Sequence, residues 1–206
     1  MFTAEQENAA LGCDVVVVAN HHRRPLVVDD LRLVPHRLSF TPDAELPVGF
    51  RPTYLYDDYS PLGAYRCFLG HQLALAMASG RPLLVLEDDA VALTADWLEV
   101  VRVSLPLLAR FEVVSLHGRA FDRTRLAPVG VLVGRRVWTP RPDPLAEVCR
   151  VLGSLAYLIS EAAARRFRAL RYQGLPVDLL LASRFRFALL DPSPFGHDRR
   201  QGSLIG

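Results

Sequence analysis

The stretch Pro82-Leu83-Leu84-Val85-Leu86-Glu87-Asp88-Asp89-Ala90 is an aliphatic run that ends in three consecutive carboxylates. Parallel sheets are covered on both faces, so their strands carry near-continuous apolar side chains, and this run predicts a central strand of an α/β sheet. The acids then stand beyond its carboxyl end, where open α/β sheets hold ligands. Adjacent like charges repel and resist burial, so Glu87, Asp88 and Asp89 need water or a cation. A small cluster of oxygen donors suits Mg2+ or Mn2+. A solvated loop leading into the next helix is the plainer use of the same residues. Side chains alternate along an extended backbone, which puts Glu87 and Asp89 on one side and Asp88 on the other.

At 206 residues the chain supports one domain, residues 1–206, with a full core. A hydrophobic content of 50% and a charged content of 22% exclude a disordered or fibrous chain. The net charge is +2, and every one of the 24 basic residues is Arg. Arg pairs in bidentate fashion with phosphate and carboxylate, which favours a diphosphate or an acidic glycan as ligand. Nucleic acid is not expected, because no basic stripe interleaved with aromatics is present. Cys13, Cys67 and Cys149 are an odd set without a CxxC pair, so neither a disulfide framework nor a zinc site is expected and a reducing cytosol fits. The first residues are acidic where a signal peptide is basic, and no apolar run approaches the roughly 20 residues that span a bilayer. The expectation is a cytoplasmic protein without a membrane span.

Along the chain, Val15-Val16-Val17-Val18-Ala19 reads as a first central strand. It opens into Asn20-His21-His22-Arg23-Arg24-Pro25, a polar turn where either solvent or a nucleotide's base and phosphates are met. Val27-Val28, Arg32-Leu33-Val34 and Thr53-Tyr54-Leu55-Tyr56 are strand candidates. Ser60-Pro61 marks a helix start and Gly80 a stop, with a helix over about residues 61 to 79. Ala64, Cys67, Phe68, His71, Leu75 and Ala78 share one face of it. His71 among apolar neighbours reads first as a hydrogen-bonded core residue, with a role in the site as the alternative.

Thr94 or Asp96 caps the next helix, through Trp97, Val100, Val101 and Leu105. Val113-Val114-Ser115-Leu116, Leu155-Ala156-Tyr157-Leu158-Ile159 and Phe187-Ala188-Leu189-Leu190 are further strands, and Ser160 caps the helix that follows the second. Residues 119 to 150 read as a long irregular segment with two short strands at Val129–Val133 and Arg136–Trp138, a candidate flap over an acceptor. Trp138 is either packed or a sugar-stacking platform. Pro176-Val177-Asp178 starts a short helix that holds Asp178 near its N-terminus, where a carboxylate complements the helix dipole. The polar, glycine-bearing tail from Pro194 through His197 to Ser203 reads as a flexible end or a lid over a charged ligand.

Taken in order, several of these pieces resemble glycosyltransferase family 25, the lipopolysaccharide and lipooligosaccharide glycosyltransferases related to collagen galactosyltransferases. Gly63-Ala64-Tyr65-Arg66-Cys67-Phe68-Leu69-Gly70-His71 is similar to that family's Gly-Glu-x-Gly-Cys-x-x-Ser-His helix. Val85-Leu86-Glu87-Asp88-Asp89-Ala90 is similar to its Val-Leu-Glu-Asp-Asp-Ala strand end. Ala156-Tyr157-Leu158-Ile159-Ser160, Pro176-Val177-Asp178 and the tail Gln201-Gly202-Ser203-Leu204-Ile205 extend the match, as does Asn20 with Arg23 or Arg24. Ala64 and Gly70 depart from it, standing where the family has Glu and Ser.

The resemblance implies an α/β fold of GT-A type, a Rossmann-like sandwich with a mostly parallel central sheet flanked by helices. It also implies Mn2+ or Mg2+ and a UDP-sugar donor, with transfer of a hexose, galactose first, to a hydroxyl of a glycan or glycolipid with inversion. Under it Asp88 and Asp89 hold the metal with His197 as a further contact, and Glu87, Asn20, Arg23 and Arg24 meet the nucleotide. Asp178 is the candidate general base, and His71 orients the site. Peripheral contact with the inner face of a cell membrane rests on the resemblance alone. Two other readings stay open: a family member that has lost activity and binds a glycan or a protein, and a Mg2+-dependent phosphohydrolase or nucleotidyltransferase. The last lacks a phosphate-cradling glycine loop.

Overall fold

The apolar runs of the sequence become neighbours in one sheet. The computed structural model describes residues 11–19, 37–40, 42–48, 50, 60–120, 123–141, 151–152 and 154–197. The first half holds β1 (Asp14–Ala19), β2 (Arg37–Phe40), α1 (Pro61–Ala76), β3 (Leu83–Glu87), β4 (Ala90–Ala92), α2 (Trp97–Ser104) and β5 (Val113–Ser115). The second half holds β6 (Arg119–Ala120), β7 (Leu126–Leu132), β8 (Arg135–Pro140), β9 (Val151–Leu152), β10 (Ala156–Ile159), α3 (Glu161–Arg168), α4 (Val177–Arg184), β11 (Phe187–Asp191) and β12 (Phe195–His197).

Eight strands form the central sheet in the order β2-β1-β3-β10-β5-β11-β8-β7. β1 is parallel to β2 and β3, and β5 is parallel to β11. β10 enters antiparallel between β3 and β5, and β8 runs against both β11 and β7. One direction therefore prevails, although the pairing is mixed. The fold class is α/β, as expected.

Strand alternation explains why the central runs contain so little polar character. Val15, Val17, Leu84, Leu86, Val114, Leu158 and Leu190 face one cluster, with Trp97, Val100 and Val101 of α2 packed on it. Val16, Val18, Leu83, Val85, Val113, Tyr157 and Leu189 face the other, which is closed by Phe68 and Leu75 of α1, Phe167 of α3 and Leu180 of α4. Both faces are covered, so both sets of alternating residues are apolar. A fully buried aliphatic side chain of this kind contributes about 1.5–3 kcal/mol.

Several local expectations change in detail. The first helix ends at Ala76, with Met77 as its C-cap, before Gly80, whose φ of +92° serves the turn into β3. Ser60 and Ser160 cap as expected, their hydroxyls accepting from the backbone N–H groups of Gly63 and Ala163, each at 3.3 Å. Asp96 stands at the N-cap of α2 but makes no side-chain cap bond. Its two oxygens accept instead from the buried Arg135 guanidinium, at 2.9 and 3.0 Å, and Thr94 Oγ1 accepts from the same group at 3.0 Å. A bidentate pair between two charges is stronger than a cap bond in which only the carboxylate is charged, so the guanidinium takes the carboxylate.

The presumed flap is also different. β7 and β8 are longer than the two short strands expected, and they pair as a hairpin that extends the central sheet. The strand candidates at Val27-Val28, Arg32–Val34 and Thr53–Tyr56 lie outside the described residues. No helix among the described residues is long and apolar enough to cross a membrane.

Candidate functional site

β3 delivers Glu87 to the end of the sheet, Asp88 and Asp89 form a turn, and the chain re-enters as β4. β12 pairs antiparallel with β4, placing His197 in register with Ala90. The tail therefore returns across the acidic turn. His197 Nδ1 stands 3.3 Å from Asp89 Oδ2, although the two residues are 108 positions apart. The other oxygen, Asp89 Oδ1, is buried without a hydrogen-bond partner. His117, just past β5, lies edge-on to the His197 ring at 5.0 Å and donates from Nδ1 to the Phe195 carbonyl at 2.9 Å. Burial holds the His117 ring below the usual imidazole range, against the pull of its carbonyl partner.

Glu87, expected on the same side as Asp89, meets a different set of partners, because β3 ends at Glu87 and the alternation does not carry through the turn of Asp88 and Asp89. Ser154 donates to its Oε1 at 2.7 Å, and His71 Nε2 lies 3.4 Å from the same oxygen. His71 is fully buried on α1, and its Nδ1 is hydrogen-bonded to the Tyr157 hydroxyl of β10 at 2.8 Å. Burial pushes the Glu87 carboxyl up, but His71, through its hydrogen bond and charge, and then Ser154 and His197 outweigh it and hold the group below the usual range. Burial, reinforced by Glu87 and Cys67, pushes the Tyr157 phenol well above its usual range. The tyrosine stays protonated, and its hydroxyl either donates to Nδ1 or accepts from it according to the His71 tautomer.

Cys67, one turn before His71 on α1, sits in the same place. Its thiol is pushed well above the ordinary range by burial and then by Glu87, Asp178, Asp88 and Asp89. All four carboxylates thus act on one sulfur. Asp178, distant in sequence from the acidic strand end, belongs to the same neighbourhood. Its Oδ1 accepts from the Leu179 backbone N–H at 2.8 Å in the first turn of α4.

The tertiary structure thus gathers His71, Glu87, Asp88, Asp89, Asp178 and His197 around one end of β3. Asn20, Arg23 and Arg24 lie outside the described residues, but β1 leaves the sheet at Ala19 beside this end, with Val18 in register with Glu87. Trp138 pairs opposite Leu189 in β8, packs against the core and has Arg136 over its ring at 6.0 Å, so it serves packing. Sequence reasoning missed the parts played by Ser154, Tyr157, His117 and Cys67. Only Tyr157 carried a signal: a hydroxyl inside a buried strand requires a partner.

No protein-family model matches the chain, and no curated protein matches it in sequence. Among solved structures, A197 from STIV is similar over 90% of this chain and 85% of its own, at 12% identity and a TM-score of 0.45. Apo UDP-glucose pyrophosphorylase is similar over 95% of this chain and 78% of its own, at 10% identity and a TM-score of 0.42. HddC from Yersinia pseudotuberculosis follows at 9% identity over 90% of this chain and 73% of its own, with a TM-score of 0.38. These are distant likenesses, and they assign the chain to no family.

Proposed function

We propose that this protein is a metal-dependent glycosyltransferase that moves a hexose, galactose first, from a UDP-sugar to a hydroxyl of a glycan or glycolipid. The observation that carries the reading is the Asp89–His197 pair: an acid beyond a central strand, a histidine brought to it by the returning tail, and a buried carboxylate oxygen without a hydrogen-bond partner. Buried polar atoms are nearly always satisfied, so such an oxygen suits a cation ligand. A separation of 3.3 Å also suits two neighbouring ligands of one ion. Carboxylate with imidazole accommodates Mn2+ more readily than Mg2+, which favours oxygen shells.

Asp89 and His197, with Asp88, would hold the ion, which supplies Lewis-acid stabilisation of the leaving diphosphate. Glu87, steadied by Ser154 and His71, supports the turn and meets the ribose of the donor. Asn20, Arg23 and Arg24 contact the nucleotide from the end of β1. Asp178 takes the proton of the acceptor hydroxyl, a role that its place among the four carboxylates around Cys67 supports. His71 acts through Glu87 as a positioning residue. The ordered motifs shared with glycosyltransferase family 25 give the reading its choice of donor and acceptor, including work at the inner face of a membrane.

Calorimetric titration with UDP, in Mn2+ and in EDTA, on the wild type and Asp89→Ala, tests this. Binding that requires Mn2+ and disappears in the variant is expected; wild-type binding indifferent to metal, or none, refutes the UDP-sugar reading. Ala64, only 2% exposed on the face of α1 that packs inward, offers the site no polar group where the family has Glu. This favours a second reading, a glycan- or protein-binding descendant without turnover. Release of free sugar from UDP-galactose in Mn2+ separates the two.

A further inference from the structure

On the inner side of Glu87 three side chains of different chemistry converge. Cys67 and His71 stand one helical turn apart on α1, so both project toward the end of β3. One donor atom from each of Cys67, His71 and Glu87 lies within 4.8 Å of the other two. We propose that these three residues form a zinc-class metal site, distinct from the Asp89–His197 pair and sharing only Glu87 and His71 with the UDP-sugar reading.

The imidazole carries the argument. His71 is completely buried, and its Nδ1 is occupied by the Tyr157 hydroxyl at 2.8 Å. That bond fixes the ring, as the second nitrogen of a metal-ligating histidine is normally fixed. The remaining nitrogen, Nε2, is buried without a hydrogen-bond partner and lies 3.4 Å from Glu87 Oε1. A buried ring nitrogen held 3.4 Å from a carboxylate and close to a thiol, with no well-aligned hydrogen bond to either, is in the position of a ligand once it is free of its proton.

The donor set chooses the metal. Thiolate, imidazole and carboxylate are the groups that Zn2+ takes, whereas Mn2+ and Mg2+ prefer oxygen. Three protein ligands leave a fourth position for water, and Cys67 is only partly buried, so an ion has a way in. On binding, the sulfur–metal bond forms as the thiol gives its proton to solvent. The carboxylates of Glu87, Asp178, Asp88 and Asp89 make the surroundings of the sulfur negative, which raises the cost of a bare thiolate and favours a dication beside it. The ion would pin α1 to the end of β3 directly beneath the acidic turn.

The full chain, stripped of metal with a chelator, is titrated with Zn2+ against a chromophoric competitor and separately with Co2+. One equivalent is expected at this site, with a thiolate-to-cobalt charge-transfer band that disappears in Cys67→Ser and persists in Cys13→Ala and Asp89→Ala. Tyr157→Phe, which frees the ring, should weaken zinc about 10–100-fold. X-ray absorption at the zinc edge of the wild type reads the ligands without any variant, and a sulfur neighbour is expected. A shell of nitrogen and oxygen alone, or a cobalt band that survives in folded Cys67→Ser, overturns the proposal. Loss of the Asp89→Ala response to UDP with an intact cobalt band would separate the two metal sites.

Discussion

The two sides of one acidic turn are built differently. Toward α1 and β10, Glu87 meets Ser154 and a fully buried His71 that is itself fixed by Tyr157. Toward β4 and β12, Asp89 meets His197, whose side chain is 50% exposed, and keeps one oxygen buried without a partner. The first side is ordered by side chains from several different elements; the second is closed only by the half-exposed His197, the Glu87 and Asp89 side chains being equally buried at 18% exposure each. Polar groups that satisfy one another are costly to disturb and serve position, whereas an acid with a buried, unmet oxygen is available to a ligand. Stability and function should therefore separate across a distance of two residues.

The largest effect is expected on the first side. His71→Ala removes the partner of the Tyr157 hydroxyl and the neighbour of Glu87 and leaves a cavity in a buried site, and should cost about 3–5 kcal/mol, in the range for truncating a large buried side chain and leaving polar groups unmet. Urea unfolding followed by circular dichroism measures it; a loss below about 1 kcal/mol would mean that the first side is not structurally important. Tyr157→Phe leaves one ring nitrogen unmet and should cost about 1–3 kcal/mol in the same measurement. On the second side, Asp89→Asn should change stability by less than about 1 kcal/mol, because it removes a charge that has no complete set of partners, while abolishing Mn2+-dependent binding of UDP. A strongly destabilised Asp89→Asn would erase the contrast between the two sides.

The smallest effect concerns Asp96, remote from the turn. Hydrogen bonds from Arg135 and Thr94 lower its carboxyl from the ordinary 3.8 to about 2. A depressed carboxyl contributes stability that is complete above its unfolded value and is lost as pH falls through the folded one. Stability should thus decline between about pH 4 and pH 2, and Asp96→Asn should flatten that part of the acid-unfolding curve. An unchanged curve would show that this pair is too well solvated to matter.

How much of this was legible varies with the range of the interaction. The strand ending at Glu87 was readable because burial on both faces demands an unbroken aliphatic run, and Ser60 and Ser160 were readable because a cap is a contact within three residues. Asp96 defeated the same reasoning, since its partner Arg135 arrives from another strand. The longer β7–β8 hairpin was underestimated because Pro128 and Pro140 lie in the parts that were missed, and a proline within a run argues against a strand. In the candidate site, Asp89 and His71 were visible as residue types in a recognisable order, but Ser154 and His117 belong to no local pattern at all.

By itself the sequence determined the α/β class, the central strand, and a group of acids at its carboxyl end, since these follow from periodicity and the cost of burying charge. Only the tertiary structure decided which acid meets His71 and which meets His197. That choice depends on β12 returning to β4 and on β10 entering between β3 and β5, contacts between residues far apart in the chain, and no local pattern encodes them.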